Sequence, residues 1–258
     1  MKRLFLLGII STLVFLFIYA PAQFLGSLLG ELSNGRLGLA SSQGSIWHGN
    51  ANIYLNSVDT ESHIVNTMQL NNTSVNLGPI SWDIQPLQFL IGRVALHVNW
   101  NNSGPFWVTL DTSRLHIEHA AFNVPASIVS ALVPTLKVAQ LGGQLSIRCQ
   151  NFTFTRTELL GQLEIDWNQS SSPLTMVTPL GSYHAQIDGL GNALNIKVET
   201  HGDSPLIMQG NGRWTEAEGL HFDSTFEAST ANKIQLQELL RVMGNETLSG
   251  SGRYQLKF

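Results

Sequence analysis

The sequence predicts a mainly β protein, with an N-terminal transmembrane helix followed by an antiparallel β-sheet domain that carries a few short helices. Three observations support this fold class: an uncharged apolar run near the N-terminus, period-two alternation after about residue 36, and only 12% charged residues among 258. Strict alternation of apolar and polar residues buries one face of a strand and leaves the other in water. That pattern is typical of antiparallel sheets.

The apolar run at residues 4–20 contains no charged side chain and follows the basic start Met1-Lys2-Arg3. A run of this length is at the lower limit for crossing a hydrocarbon core about 30 Å thick. Because the basic residues precede the run, the N-terminus is expected in the cytoplasm. We therefore predict a cytoplasmic stub at 1–3, a transmembrane helix at 4–20 and a β-rich domain at 21–258 beyond the membrane.

A cleaved signal peptide is the alternative explanation of this run, since Ala20-Pro21-Ala22 has the small residues of a signal-peptidase site. The run is, however, longer than the usual signal core of about 7–15 residues. Apolar residues also recur at helical spacing after Pro21, which predicts a helix at 21–32 and favours an uncleaved anchor. These residues are Phe24, Leu25, Leu28, Leu29 and Leu32.

Alternation is clearest at residues 162–167, and the same pattern recurs at 93–100, 144–149, 194–198 and 253–258. We expect Leu163, Ile165 and Trp167 to face a core, because a one-residue slip would instead bury Glu164 and Asp166. Further short helices are predicted at 125–133 and 232–243. Each of the three predicted helices is followed by a glycine that opens an alternating strand, at Gly44, Gly142 and Gly250. This order suggests a degenerate repeat that extends one sheet, with chance recurrence as the alternative.

Composition excludes several classes of protein. A net charge of −4 argues against nucleic-acid binding, which needs a basic face, and an apolar content of 43% argues against disorder. Cys149 is the single cysteine, so the chain can form no internal disulfide. Its place in an alternating strand predicts a buried thiol, with a reactive or intermolecular thiol as the alternative.

Motifs for catalysis or metal binding are not found in the sequence. The densest cluster is His116, Glu118 and His119, but in a strand His119 faces away from the other two and the three cannot converge on one metal. Neither a nucleophile elbow nor a phosphate-binding loop is present. We therefore expect a non-enzymatic protein with no catalytic residue, no metal and no cofactor.

Six tryptophans are the remaining candidates for a functional role. Core packing explains most of them, and an apolar surface that binds a partner or a lipid tail is the alternative. Trp47 is the most distinctive, because Gly44 and Gly49 bracket it and glycine permits close backbone approach. The candidate interaction residues are Ile46, Trp47 and Trp82.

Several segments, in their order along the chain, resemble one family. After the basic start and single apolar run come Gly44-Ser45-Ile46-Trp47-His48-Gly49, then Ile80-Ser81-Trp82-Asp83-Ile84-Gln85-Pro86-Leu87, and finally Gly250-Ser251-Gly252-Arg253-Tyr254-Gln255-Leu256. Together they resemble protein N of the type II secretion system, the general secretion pathway. The resemblance extends over most of the chain, although none of its segments is a catalytic motif.

This resemblance implies a single-pass inner-membrane protein of a Gram-negative envelope, whose periplasmic domain acts with other inner-membrane or periplasmic secretion subunits. The family is also distantly similar to AsmA-like envelope proteins, whose long curved sheets are thought to hold lipid. That similarity implies an elongated, curved sheet, and it makes a lipid-handling protein with an apolar groove the alternative function. A continuous unfilled trough would favour lipid, whereas a packed core with an exposed edge would favour a protein partner.

Overall fold

The computed structural model of the protein describes residues 2–56, 74–89, 91–101, 103–132, 134–155, 157–247 and 252–257. Within these residues the chain forms one large antiparallel sheet and a few helices, which confirms the predicted mainly β class. The α-helices are α1 (Lys2–Ile18), α2 (Gln23–Leu32), α3 (Pro86–Phe89), α4 (Ser127–Leu132) and α5 (Lys233–Met243). Two 3₁₀ helices are found at Pro134–Ala139 and Thr230–Asn232.

The described residues contribute fifteen strands to the sheet. These are β1 (Leu37–Gly44), β2 (His48–Asn56), β3 (Ser74–Ile84), β4 (Val94–Trp100), β5 (Pro105–Leu110), β6 (Arg114–Ile117), β7 (Ala120–Pro125), β8 (Gly142–Thr155), β9 (Leu159–Ser171), β10 (Ser182–Gly191), β11 (Ala193–His201), β12 (Leu206–Thr215), β13 (Gly219–Ala228), β14 (Asn245–Glu246) and β15 (Arg253–Lys257). Neighbouring strands are consecutive along most of the chain. The exceptions are β7 and β6, which pair with successive halves of β8, and β15, which lies between β13 and β14.

The two faces of the sheet differ as the alternation predicts. On β9, Leu163, Ile165 and Trp167 pack against core clusters. Glu164 and Asp166 lie on the opposite face, where both pair with Arg148 of β8. The predicted orientation of this strand is therefore confirmed.

The core is a series of adjoining apolar clusters along one face of the sheet. Ile80 and Trp100 each pack against more than one cluster and so connect them. The largest cluster lies beneath α5, where fully buried Leu236 and Leu239 contact a group that includes Phe226 and Tyr254. Helix α5 therefore covers the apolar face of the last strands.

The predicted helices are present, with shifted boundaries. Helices α2 and α5 lie within the ranges 21–32 and 232–243. The helix predicted at 125–133 starts later than expected, because Pro125 is the last residue of β7 and α4 begins only at Ser127. Proline has no N–H to contribute to a ladder and is tolerated at a strand end as readily as at a helix start.

The glycines that were expected to open strands are placed differently from one another. Gly142 does open β8, whereas Gly44 closes β1 in a backbone conformation with φ of 92°. Gly250 and Ser251 of the last predicted glycine segment lie outside the described residues. The order of helix, glycine and strand is thus only partly the repeat that the sequence suggested.

Helix α1 comprises 17 residues and ends at Ile18. No helix in the described part of the chain meets the combined length and hydrophobicity that a membrane span requires. The transmembrane assignment of residues 4–20 stays a prediction. Aromatic side chains cluster at the end of α1, where the rings of Phe15 and Tyr19 lie 4.4 Å apart.

Candidate functional site

The three candidate interaction residues lie together where the end of α1 meets the first strands. The linker after α1 runs beside the segment that connects β1 to β2. The Ile46 N–H donates to the Ala20 carbonyl at 2.9 Å, and the Ala22 N–H donates to the Gly44 carbonyl at 3.1 Å. We name residues 17–22, residues 44–49 and Trp82 the N-terminal clasp.

Trp47 is the centre of the clasp and is only 8% exposed. Its indole Nε1–H donates to the Phe17 carbonyl at 3.0 Å, and its ring packs edge-on against the Phe17 ring with centroids 4.7 Å apart. The last carbonyls of a helix have no partner within the helix. Trp47 therefore supplies a donor to the C-terminal end of α1 and joins that end to the sheet.

Trp82 holds the clasp from the neighbouring strand β3. Its buried indole donates from Nε1 to the Ile46 carbonyl at 3.1 Å. The ring also lies against Gly49, where an added Cβ would be 2.6 Å from Trp82 Cζ2. At Gly44 an added Cβ would overlap the His48 carbonyl oxygen, and the positive φ independently favours glycine. Close packing thus accounts for both bracketing glycines.

The clasp contains both intramolecular contacts and exposed surface. Trp47 and Trp82 are buried with Ala22, Ala51 and Ile84, whereas Ile46 is half-buried. A contact of these residues with another subunit stays a prediction. Sequence reasoning missed Phe17 as the partner of Trp47 and Ala20 as the partner of Ile46, since both lie in an apolar run assigned to the membrane. The glycines around Trp47 were the available signal that a backbone packs there.

The predicted histidine cluster has an ordinary structural role for its first member. His116 Nδ1 lies 2.8 Å from Thr153 Oγ1 on the neighbouring strand β8. Among the residues that the structure describes, no group of three or more His, Cys, Asp and Glu side chains is placed to hold a metal ion. Cys149 is buried, and burial raises the pKa of its thiol, although a backbone hydrogen bond from Phe152 opposes this effect.

A cross-strand charge network occupies the polar face of β8, β9 and β10. Arg148 pairs with Glu164 at 3.1 Å and with Asp166 at 2.7 Å, and His184 Nδ1 lies 2.7 Å from the second carboxylate oxygen of Asp166. Sequence reasoning placed these acids in water but missed the network, because its members come from three separate strands. We name Arg148, Glu164, Asp166 and His184 the charge ladder.

Opposing effects determine the protonation of Asp166. Partial burial raises the pKa of its carboxyl, but the hydrogen bond from His184 and the charge of Arg148 lower it more. The net result is a pKa below the ordinary aspartate value. The ladder therefore stabilises the charged form of Asp166.

The apolar face has an open region at the ends of the hairpins β8–β9 and β12–β13. A cavity of about 360 Å³ lies there, lined in part by Phe154, Leu159 and Trp214. Glu158 and Glu216 also border it. Four apolar side chains on the neighbouring strands are only half-buried: Ile187, Leu194, Ile196 and Phe222. The structure thus combines a packed core under α5 with an apolar cavity and half-buried apolar side chains further along the sheet.

These features define a class: a single-sheet β protein with an N-terminal apolar helix clasped to its first strands. Within that class, residues 35–257 match the family model of type II secretion system (T2SS), protein N. The chain therefore belongs to this family, as its resemblance predicted, and has a role in type II secretion. No curated protein and no solved structure matches the chain significantly.

Proposed function

We propose that this protein is a non-enzymatic subunit of the type II secretion machinery that is anchored in the inner membrane by α1 and extends its sheet into the periplasm. The N-terminal clasp is the observation that carries this proposal. Three hydrogen bonds and an aromatic contact connect the end of α1 and the linker after it to Gly44, Ile46 and Trp47, at the connection between β1 and β2. A helix that served only for export would need no such attachment to the folded domain.

The length of α1 is compatible with anchoring. The uncharged part of α1, residues 4–18, extends about 23 Å, several Å less than a hydrocarbon core of about 30 Å. A mismatch of this size is accommodated by local thinning of the bilayer at modest cost. Lys2 and Arg3 before the apolar run orient the N-terminus to the cytoplasm.

The topology is tested by a reporter that is active only outside the cytoplasm, fused after Phe258 of the full-length chain. We expect activity, together with retention of the chain in carbonate-washed membranes. As a control, a Lys2→Gln/Arg3→Gln variant should lose part of the activity, because the charges that set the orientation are removed. Recovery of a soluble chain that begins at Gln23 would overturn the anchor.

The partners proposed are other inner-membrane or periplasmic subunits of the same machinery. Ile46 is half-buried and lies beside the end of α1, and thus offers side-chain surface close to the membrane. A photocrosslinking residue at position 46 should capture such a subunit in cells that assemble the machinery. The matched control is position 190 on β10, which is exposed and lies in the far half of the sheet. Equal capture at both positions, or capture only at 190, would contradict a contact at the clasp.

Lipid handling is the second candidate function, and the apolar cavity near Trp214 favours it. The cavity has the apolar lining that an acyl chain requires, while Glu158 and Glu216 disfavour an anionic headgroup. Mass spectrometry of the purified full-length chain should then detect bound neutral or zwitterionic lipid. Trp214→Ala should reduce its amount, whereas Trp107→Ala, beside His97 on the polar face, should not. Absence of lipid from the unaltered chain would exclude this function.

A further inference from the structure

Two short segments near the clasp expose large apolar side chains to an unusual extent. On α2 these are Phe24, Leu28 and Leu32, and on and after α3 they are Leu87, Phe89 and Ile91. Leu32, Leu87 and Ile91 are 76%, 77% and 73% exposed. We name these six side chains the interfacial surface.

The exposed residues of α2 form a single stripe, because positions four apart lie on one face of a helix. The opposite side of α2 packs against β1 through small residues. A Cβ added at Gly26 would lie 3.5 Å from Leu39 Cβ, and one added at Gly30 would lie 4.0 Å from the Leu37 carbonyl. This close approach fixes the rotation of α2, so that its apolar stripe cannot turn toward the sheet.

The interfacial surface adjoins the end of the apolar helix. The ring of Phe89 lies 5.9 Å from the ring of Phe17, which in turn packs against Trp47 of the clasp. Helix α2 begins only a few residues after α1 ends, and no charged residue occurs from position 4 to position 30. Phe89 thus contacts the end of the segment that we propose to cross the membrane, and the exposed stripe of α2 follows that segment closely in the sequence.

We propose that the interfacial surface inserts into the headgroup and upper acyl region of the bilayer, on the side where α1 emerges. This inference rests on the proposed anchoring by α1. Bilayer lipid is the occupant that fits, because the surface is purely apolar and belongs to two elements beside the same helix end. Since none of its six residues is charged, insertion is driven by apolar burial and does not require anionic lipid.

The test uses the full-length chain in phosphatidylcholine vesicles with single introduced cysteines that carry an environment-sensitive fluorophore. Labels replace Leu28 and Leu87 in the interfacial surface and Ile9 in α1. Leu190 is the matched control, because it is 62% exposed but lies on β10. The chain without an introduced cysteine is the labelling blank, since its own Cys149 is buried. Quenching by lipids that carry a nitroxide at shallow or deep positions then reports the depth of each label.

We expect a shallow nitroxide to quench the labels at 28 and 87 at least twofold, a deep nitroxide to quench the label at 9, and neither to quench the label at 190. Quenching at 9 without quenching at 28 and 87 would overturn the interfacial surface and leave the anchor intact. Quenching at 28 and 87 without quenching at 9 would overturn the anchor and support the surface alone. A blue-shifted label at 28 or 87 that no nitroxide quenches would show burial against protein, and it would overturn lipid as the occupant.

Discussion

Tryptophan side chains join separate backbone segments at several places in this protein. Trp47, Trp82, Trp100 and Trp167 each donate an indole N–H to a backbone carbonyl more than 20 residues away. A buried indole needs a partner for this donor, and a carbonyl at a strand or helix end needs a donor. Each such bond ties the position of a large apolar ring to the course of a distant segment.

Trp47 allows the packing and hydrogen-bond contributions to be separated. Trp47→Phe keeps an aromatic ring but removes the donor to the Phe17 carbonyl, and should lower the free energy of unfolding by about 0.5–1.5 kcal/mol. Trp47→Ala also removes the buried ring and should lower it by about 3–5 kcal/mol. Denaturant unfolding of the detergent-solubilised chain measures both. Equal losses in the two variants would show that packing of the ring contributes little.

Gly49 is predicted to tolerate no side chain. A Cβ there would be 2.6 Å from both Trp82 Cζ2 and the Gln43 carbonyl oxygen, so Gly49→Ala should cost about 1–3 kcal/mol. The control is Gly38→Ala on β1, where the nearest atom would be 3.8 Å away and the change should stay within about 0.5 kcal/mol. Thermal unfolding of both variants provides the comparison. A Gly49→Ala chain as stable as the Gly38→Ala chain would mean that Trp82 does not pack there.

At the level of secondary-structure elements, pairs of side chains on the polar face stabilise the pairing of neighbouring strands. The charge ladder connects β8, β9 and β10 through Arg148, Asp166 and His184. Opposite charges directly across strands contribute roughly 0.2–1 kcal/mol per pair. The acids of β9 therefore do more than keep one face soluble, because they also favour the observed pairing of three strands.

The ladder makes stability depend on pH in a defined direction. The pKa of Asp166 is lower in the folded chain than its unfolded value of about 3.9. The unfolded state thus binds the proton first, so the stabilisation is complete above about pH 5 and is lost as the pH falls through the unfolded and then the folded pKa. The gap in unfolding free energy between the unaltered chain and Asp166→Asn should therefore narrow between pH 6 and pH 3. A gap that widens on acidification would contradict this assignment, and Asp203→Asn on an exposed turn is the control.

The whole molecule is a single sheet whose strands mostly contact their neighbours in sequence. Its largest cluster, under α5, draws on residues from Val129 onward, whereas the clasp cluster comes from residues 22–96. An architecture in which each unit contacts only its neighbours distributes stability locally. The two ends of the sheet should therefore respond separately to mutation.

Leu239→Ala tests this separation. Leu239 is fully buried under α5, and its truncation should cost about 2–5 kcal/mol. We expect faster amide hydrogen exchange in β12, β13 and β15, with little change in β1, β2 and β3. Ile234→Ala on the exposed side of α5 is the control and should change neither region. Faster exchange throughout the sheet would show instead that it unfolds as one cooperative unit.

The sequence by itself determined the class of the fold, the orientation of its strands and the family. Alternation has a period of two, so it assigns Leu163 and Ile165 to one face and Glu164 to the other without knowledge of neighbouring strands. Helical spacing likewise located α2 and α5. The helix predicted at 125–133 begins only at Ser127 in the structure, because proline suits both the end of a strand and the start of a helix.

Only the tertiary structure decided which segments meet. The bond between Trp47 and Phe17 joins positions 30 residues apart, and the charge ladder joins three strands, so neither appears in any local pattern. The split pairing of β8 with β6 and β7 is equally nonlocal. Such contacts depend on strand register and on which distant segments the loops bring together. The packing of the whole sheet determines both. The sequence thus identified Ile46, Trp47 and Trp82 as candidates, but not the residues that contact them.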